Sequence, residues 1–192
     1  DSSAMSAGST TTTPSNDVLQ HLPVRRGWSQ VELSVNYRTP AEIMEVAARV
    51  LAAAAPDLAP PTSVRATGVD PAVARVEPGT VSVEALATAA ALHAELGGTI
   101  AVICPPSLSS ALGAVREEEV SLDADVSVVP VGSVKGLEFD GVVVVEPALI
   151  AEESPQGMRA LYVSLTRATK RLAIVHSGRL PAVLGIGDRA VA

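Results

Sequence analysis

Four consecutive valines, Val142–Val145, follow Gly141 and precede Glu146 and Pro147. A strand that is apolar on every residue has no side to offer water, so the run fits a strand covered on both faces. Further strands are predicted at Val31–Val35, Thr99–Cys104, Val126–Val129 and Arg171–His176. Helical stretches fall between them at Ala41–Leu51, Ser82–Leu96, Ser107–Glu119 and Gln156–Thr169. Strands alternating with helices predict an α/β fold, a mostly parallel sheet with helices on both faces. Thr39 is expected to cap the first of these helices, with Pro40 in its first turn and Glu42 close behind.

The chain has 192 residues, enough for one domain with its own core. Residues 1–14 are rich in Ser, Thr and Gly and read as a flexible leader; residues 15–192 read as a single domain. Within it, Asn16 or Asp17 could cap a short helix through Leu22. A proline-bounded linker, Pro56–Pro61, precedes two short extended pieces near Val64–Ala66 and Val73–Glu77. With 47% apolar and 18% charged residues, a largely disordered chain is excluded. No apolar run reaches the roughly 20 residues that a membrane helix needs. No charged-then-apolar leader opens the chain, so a cytoplasmic, membrane-free protein is expected.

One cysteine, Cys104, excludes an internal disulfide, and the histidines His21, His93 and His176 are too scattered to suggest a metal site. The net charge of -7 argues against a free-standing nucleic-acid binder, whose affinity comes mainly from neutralising phosphates. Aromatic residues are four, Trp28, Tyr37, Phe139 and Tyr162, so burial must come from aliphatic side chains.

Rare residue types gather in three segments: Leu33–Pro40 (LSVNYRTP), Val131–Asp140 (VGSVKGLEFD) and Ala160–Thr169 (ALYVSLTRAT). The first two would sit at carboxyl ends of strands, where α/β sheets build ligand crevices. Asn36-Tyr37-Arg38-Thr39, Lys135-Gly136-Leu137-Glu138-Phe139-Asp140 and Leu161–Ala168 (LYVSLTRA) resemble, in order, motifs IV, V and VI of superfamily 1 UvrD/Rep-type helicases. The chain thus resembles the second RecA-like domain, 2A, of such motors.

That resemblance implies roles for particular residues. Tyr37 would stack on adenine, and Arg38 and Arg167 would reach the γ-phosphate of ATP from across a domain cleft. A guanidinium suits that task because it stays charged and donates two parallel hydrogen bonds. Glu138 would accept from a ribose hydroxyl, while Lys135 and Gly136 would shape the turn. Simpler readings stand beside these. Arg38 could pair with Glu42 and Arg167 could offset a helix dipole; Tyr37 could merely pack, and Glu138 could pair with Lys135. Tyr162, Phe139, Cys104 and the histidines read as structural.

No G-x-x-x-x-G-K-[ST] phosphate loop is present, and Val142–Glu146 only imitates a Walker B strand, with Pro147 after its single acid. The resemblance therefore implies half of an ATP site, with the phosphate loop and Mg²⁺ ligands on an N-terminal domain of the same protein. Alone, the chain is expected to be monomeric and inactive.

Two departures narrow the resemblance. UvrD-type helicases carry Thr and His just before Lys-Gly of motif V, facing DNA; here Pro130 and Gly132 stand there, and Cys104-Pro105-Pro106-Ser107 replaces an Arg-containing turn. The interval from Arg38 to Lys135 leaves no room for a 2B domain. A compact 2A domain of this kind is most similar to HelD-type ATPases, which implies bacterial RNA polymerase as partner. A 3′-to-5′ DNA helicase acting on single-stranded DNA and a non-catalytic interaction module are the alternatives.

Overall fold

The valine run lies in the centre of a five-stranded parallel sheet. A computed structural model describes residues 35–118 and 125–187. In chain order the elements are β1 (Val35–Asn36), α1 (Ala41–Ala54), β2 (Thr62–Ser63), β3 (Ala72–Arg75), α2 (Val81–Leu96), β4 (Ile100–Cys104) and α3 (Pro106–Glu118). There follow β5 (Val126–Pro130), β6 (Phe139–Val145), α4 (Pro147–Glu152), α5 (Gly157–Leu165) and β7 (Ala168–His176). The main sheet has the order β3-β7-β6-β4-β5 with every pairing parallel, and β1 and β2 pair, also in parallel, as a separate two-stranded ribbon.

Period-two alternation divides the core. Val142 and Val144 of β6 join Ile43, Val46 and Val50 of α1 and Leu161 and Leu165 of α5 on one face. Val143 and Val145 join Ala85, Leu86 and Ala89 of α2 and Leu112 of α3 on the other. All four valines are fully buried. Three layers, helix on sheet on helix, follow from a central strand that offers no polar side.

Several boundaries differ from expectation. The predicted helix Gln156–Thr169 ends at Leu165, and β7 begins at Ala168, so Arg167 lies in the tight turn between them. The two β-branched threonines, Thr166 and Thr169, flank that turn, and Thr166 bonds back to the carbonyls of Tyr162 and Val163 (3.1 and 3.0 Å). Helix α4 was not expected; its signal is Pro147 in the first turn after Glu146. Thr39 does not cap α1. Pro40 occupies the cap position without a side-chain bond, while the buried Thr39 hydroxyl donates to the Thr166 carbonyl at 3.4 Å. The extended piece expected near Val73–Glu77 is β3, Ala72–Arg75, while the one expected near Val64–Ala66 falls just before that stretch, at Thr62–Ser63. The leader, the helix through Leu22, Trp28, His21 and most of the Val31–Val35 strand lie outside the described residues.

Glu146, which ends the imitation of a Walker B strand, is buried with φ 47°. Among the described residues it is the one non-glycine in the left-handed region. Its carboxylate accepts from the backbone N–H and hydroxyl of Ser177, at 2.7 and 2.5 Å, and so clasps the carboxyl ends of β6 and β7 together. Cys104 is buried, and burial pushes its thiol up to about 11, as befits an inert core residue. His93 is tied to the Gly98 carbonyl at 2.8 Å. No helix among the described residues is long and apolar enough to cross a membrane.

Candidate functional site

Arg38, Glu138 and Arg167 come from three separate segments, and the fold brings all three to one cleft of about 230 Å³. The cleft does not lie where the sequence placed it. Glu138 immediately precedes β6 and Arg167 immediately precedes β7, and Phe139 and Ala168 are partners in the sheet. The cleft therefore opens at the amino edge of the main sheet, not the carboxyl edge. The reason is topological: β5 runs parallel to β4, so the segment after it must cross back to the amino edge before β6 can begin. The Lys135–Glu138 stretch arrives on that return. The carboxyl edge instead holds Cys104 and Pro130, which are paired residues on β4 and β5.

Each side chain is held differently. The Arg167 guanidinium is partly buried and donates from Nε to the Val163 carbonyl (3.1 Å) and from Nη1 to the Leu137 carbonyl (2.9 Å). Burial lowers its pKa; the neighbouring Tyr162 hydroxyl opposes that shift, and the positive charge of Arg38 adds to it. Arg38 is far more open, its side chain 71% exposed, and its guanidinium pairs with the Glu138 carboxylate. This pairing replaces both simpler alternatives, Arg38 with Glu42 and Glu138 with Lys135. Asn36 fixes the Arg38 backbone, its side-chain oxygen accepting from the N–H groups of Arg38 and Thr39 at 2.9 and 3.2 Å.

Tyr162 does more than pack. It is half-buried against the core cluster and also lines the cleft, and burial pushes its hydroxyl pKa up. Tyr37 is 72% exposed and lines an adjoining recess with Val35, Arg38 and Pro61 rather than the cleft itself. Lys135 is exposed and lines neither recess. Gly136 has φ +83°, a conformation that glycine adopts without cost and that lets the chain turn toward Glu138.

Sequence reasoning missed the hydroxyl groups of Thr39, Thr166 and Thr169 as cleft residues, and Asn36 as the residue that orients Arg38. Asn36 stands two residues before Arg38, the spacing of an Asx turn, and that signal was available. Glu42, the expected partner of Arg38, instead accepts from the N–H groups of Thr67 (2.9 Å) and Gly68 (2.5 Å). Its own backbone N–H, ahead of these two, holds its pKa low.

Behind the cleft, Lys170 reaches Asp140 at 2.7 Å, and the Thr99 N–H donates to the same carboxylate at 3.0 Å. The Lys170 hydrogen bond is the main reason that the Asp140 carboxyl stays below its ordinary value of 3.8. A carboxyl with a depressed folded pKa stabilises above the unfolded value and loses that contribution as pH falls through the folded one. Asp140→Asn should therefore lower stability near neutrality, where the Lys170 pairing contributes, and flatten the loss of stability below pH 3.8, so that the two curves converge in acid; a pH series of thermal melts will read this.

The fold, a five-stranded parallel sheet with helices on both faces, is that of a RecA-like domain. Residues 125–175 match the family model of the UvrD-like helicase C-terminal domain. The structure is similar to that of the C-terminal domain of a possible DNA helicase from Lactobacillus plantarum WCFS1, with a TM-score of 0.57 and 24% identity over 78% of this chain and 92% of that one. No curated protein matches. The matched segment contains Glu138 and Arg167 but stops short of Arg38, which the fold alone brings to them.

Proposed function

We propose that this chain is the C-terminal motor half of an ATP-dependent, superfamily 1 helicase-like protein, and that Arg38 and Arg167 contact the γ-phosphate of ATP held by a separate phosphate-loop domain. The observation that carries this reading is the convergence of both guanidiniums on one cleft at the amino edge of the sheet. Two guanidiniums facing one cleft suit a polyphosphate. They do not suit Mg²⁺: Glu138 is the cleft's one carboxylate and is committed to Arg38, and among the described residues no group of acids, His or Cys is placed to hold a metal. The metal would be held by the other domain.

ATP supplies a transferable phosphoryl group, and this chain's part is to place charge beside it. Arg167, fixed by two carbonyls, is pre-organised; Arg38 exchanges the Glu138 carboxylate for phosphate oxygens. Tyr37, beside Arg38 but outside the cleft, is positioned for the base, and Glu138, once released, for a ribose hydroxyl. The 192-residue chain alone should show no Mg²⁺-dependent ATP turnover, whereas the full-length protein should. Turnover by the chain alone would refute the assignment.

Within this class we place the protein nearest to HelD-type ATPases acting on RNA polymerase. Pro130 and Gly132 stand where UvrD-type motors carry Thr and His, and with Cys104–Ser107 they occupy the same carboxyl edge. The DNA-helicase reading is favoured instead by the description of the similar solved structure. Stimulation of the full-length ATPase by single-stranded DNA supports the latter; stimulation by RNA polymerase without DNA supports the former.

A further inference from the structure

The stretch after the Pro56–Pro61 linker is a strap lying against the cleft. β2 pairs with β1, which ends two residues before Arg38, and the Ser63 hydroxyl donates to the Thr39 carbonyl at 2.6 Å. The Arg65 carbonyl accepts the Ala41 N–H at 2.7 Å, and Glu42 holds the turn at Thr67 and Gly68. Arg65 is thus an exposed arginine on an anchored backbone. From there its Nη1 donates to two carbonyls, that of Thr169 at 3.0 Å and that of Arg38 itself at 3.4 Å. Thr169 lies two residues beyond Arg167 and lines the same cleft.

We infer that Arg65 is a positioning residue that sets the spacing between the two cleft arginines by bridging the backbones that carry them. This rests on the motor reading above. The bridge matters more to Arg38 than to Arg167. Arg167 has its own two carbonyl anchors, whereas the Arg38 side chain is open and depends on its backbone for aim. A guanidinium suits the bridge because one fixed fork can serve two acceptors while keeping its charge. It also adds a third positive group beside the cleft, which favours an incoming anion.

The test is a double-mutant cycle in the full-length ATPase. Misplacing a transition-state contact by about 1 Å costs up to about 100-fold, so Arg65→Ala should lower kcat about 10- to 100-fold with KM for ATP within about twofold. In an Arg38→Ala background the same change should cost less than about twofold further, because the group it aims is gone. Arg65→Lys, which keeps one donor to a carbonyl, should fall between and serves if the alanine variant folds poorly. Undiminished kcat in Arg65→Ala beside a large loss in Arg38→Ala overturns the positioning role and leaves the motor reading intact. Equal losses from Arg65→Ala in both backgrounds also overturn it. Full activity of Arg38→Ala overturns both.

Discussion

Replacing Arg167 by alanine in the full-length protein is expected to lower ATP turnover by about 10³-fold or more, the range seen when a guanidinium is removed from the transferring phosphoryl group. The expectation follows from how the side chain is held. Its Nε and Nη1 are spent on the Val163 and Leu137 carbonyls, which locks the guanidinium plane and leaves its other edge facing the cleft. A donor already fixed in place needs no reorganisation when charge develops on the phosphoryl oxygens, so its loss should appear in kcat with KM little changed. Arg167→Lys keeps the charge but not the fork, and should recover only part of the rate. The Leu137 carbonyl lies in an exposed turn open to water, and the Val163 carbonyl keeps the Thr166 hydroxyl as donor, so both variants should melt close to the parent. Unchanged turnover would point to an interaction module that keeps the fold without the chemistry.

Three residues of this cleft were legible in the sequence, but its threonines, Asn36 and its location were not. Arg38, Glu138 and Arg167 sit in short segments where rare residue types crowd together, and a crowded segment can be read without knowing the fold. Their edge of the sheet depends on strand direction and on the return from β5 to β6, which no local pattern encodes. The valine run gave the layered architecture because its meaning is also local: four apolar residues in a row leave no wet face. The helix predicted at Gln156–Thr169 failed for a complementary reason. Helical periodicity continues through Thr166 and Arg167, but the backbone leaves the helix at Leu165 to pair Ala168 with Phe139. Arg65 was hidden altogether, since it acts on backbone carbonyls and so has no partner side chain to reveal it.

Two glycines offer a sharp contrast in stability, and one of them reaches the cleft. Gly157 opens α5 with its Cα against the end of α4. A Cβ there would lie 2.3 Å from the Ala151 carbonyl oxygen and 2.5 Å from that of Ile150. Both are backbone atoms, so no side-chain rotation relieves the clash and the two helices must move apart. Overpacking of this kind costs about 3 kcal/mol. For a chain of this size, that should lower Tm by about 6–12 °C. Gly113, in the middle of α3, would meet nothing within 4 Å. Its replacement by alanine should remove a helix-interior penalty of about 0.5–1 kcal/mol and raise Tm by a few degrees. The same chemical change should thus shift the melting curve in opposite directions at the two sites. Because α5 also carries Tyr162 and leads into Arg167, Gly157→Ala should depress ATP turnover of the full-length protein well below its melting range, while Gly113→Ala leaves it unchanged. Equal melting temperatures for the two variants would mean that α4 and α5 do not pack as closely as the Gly157 contact requires.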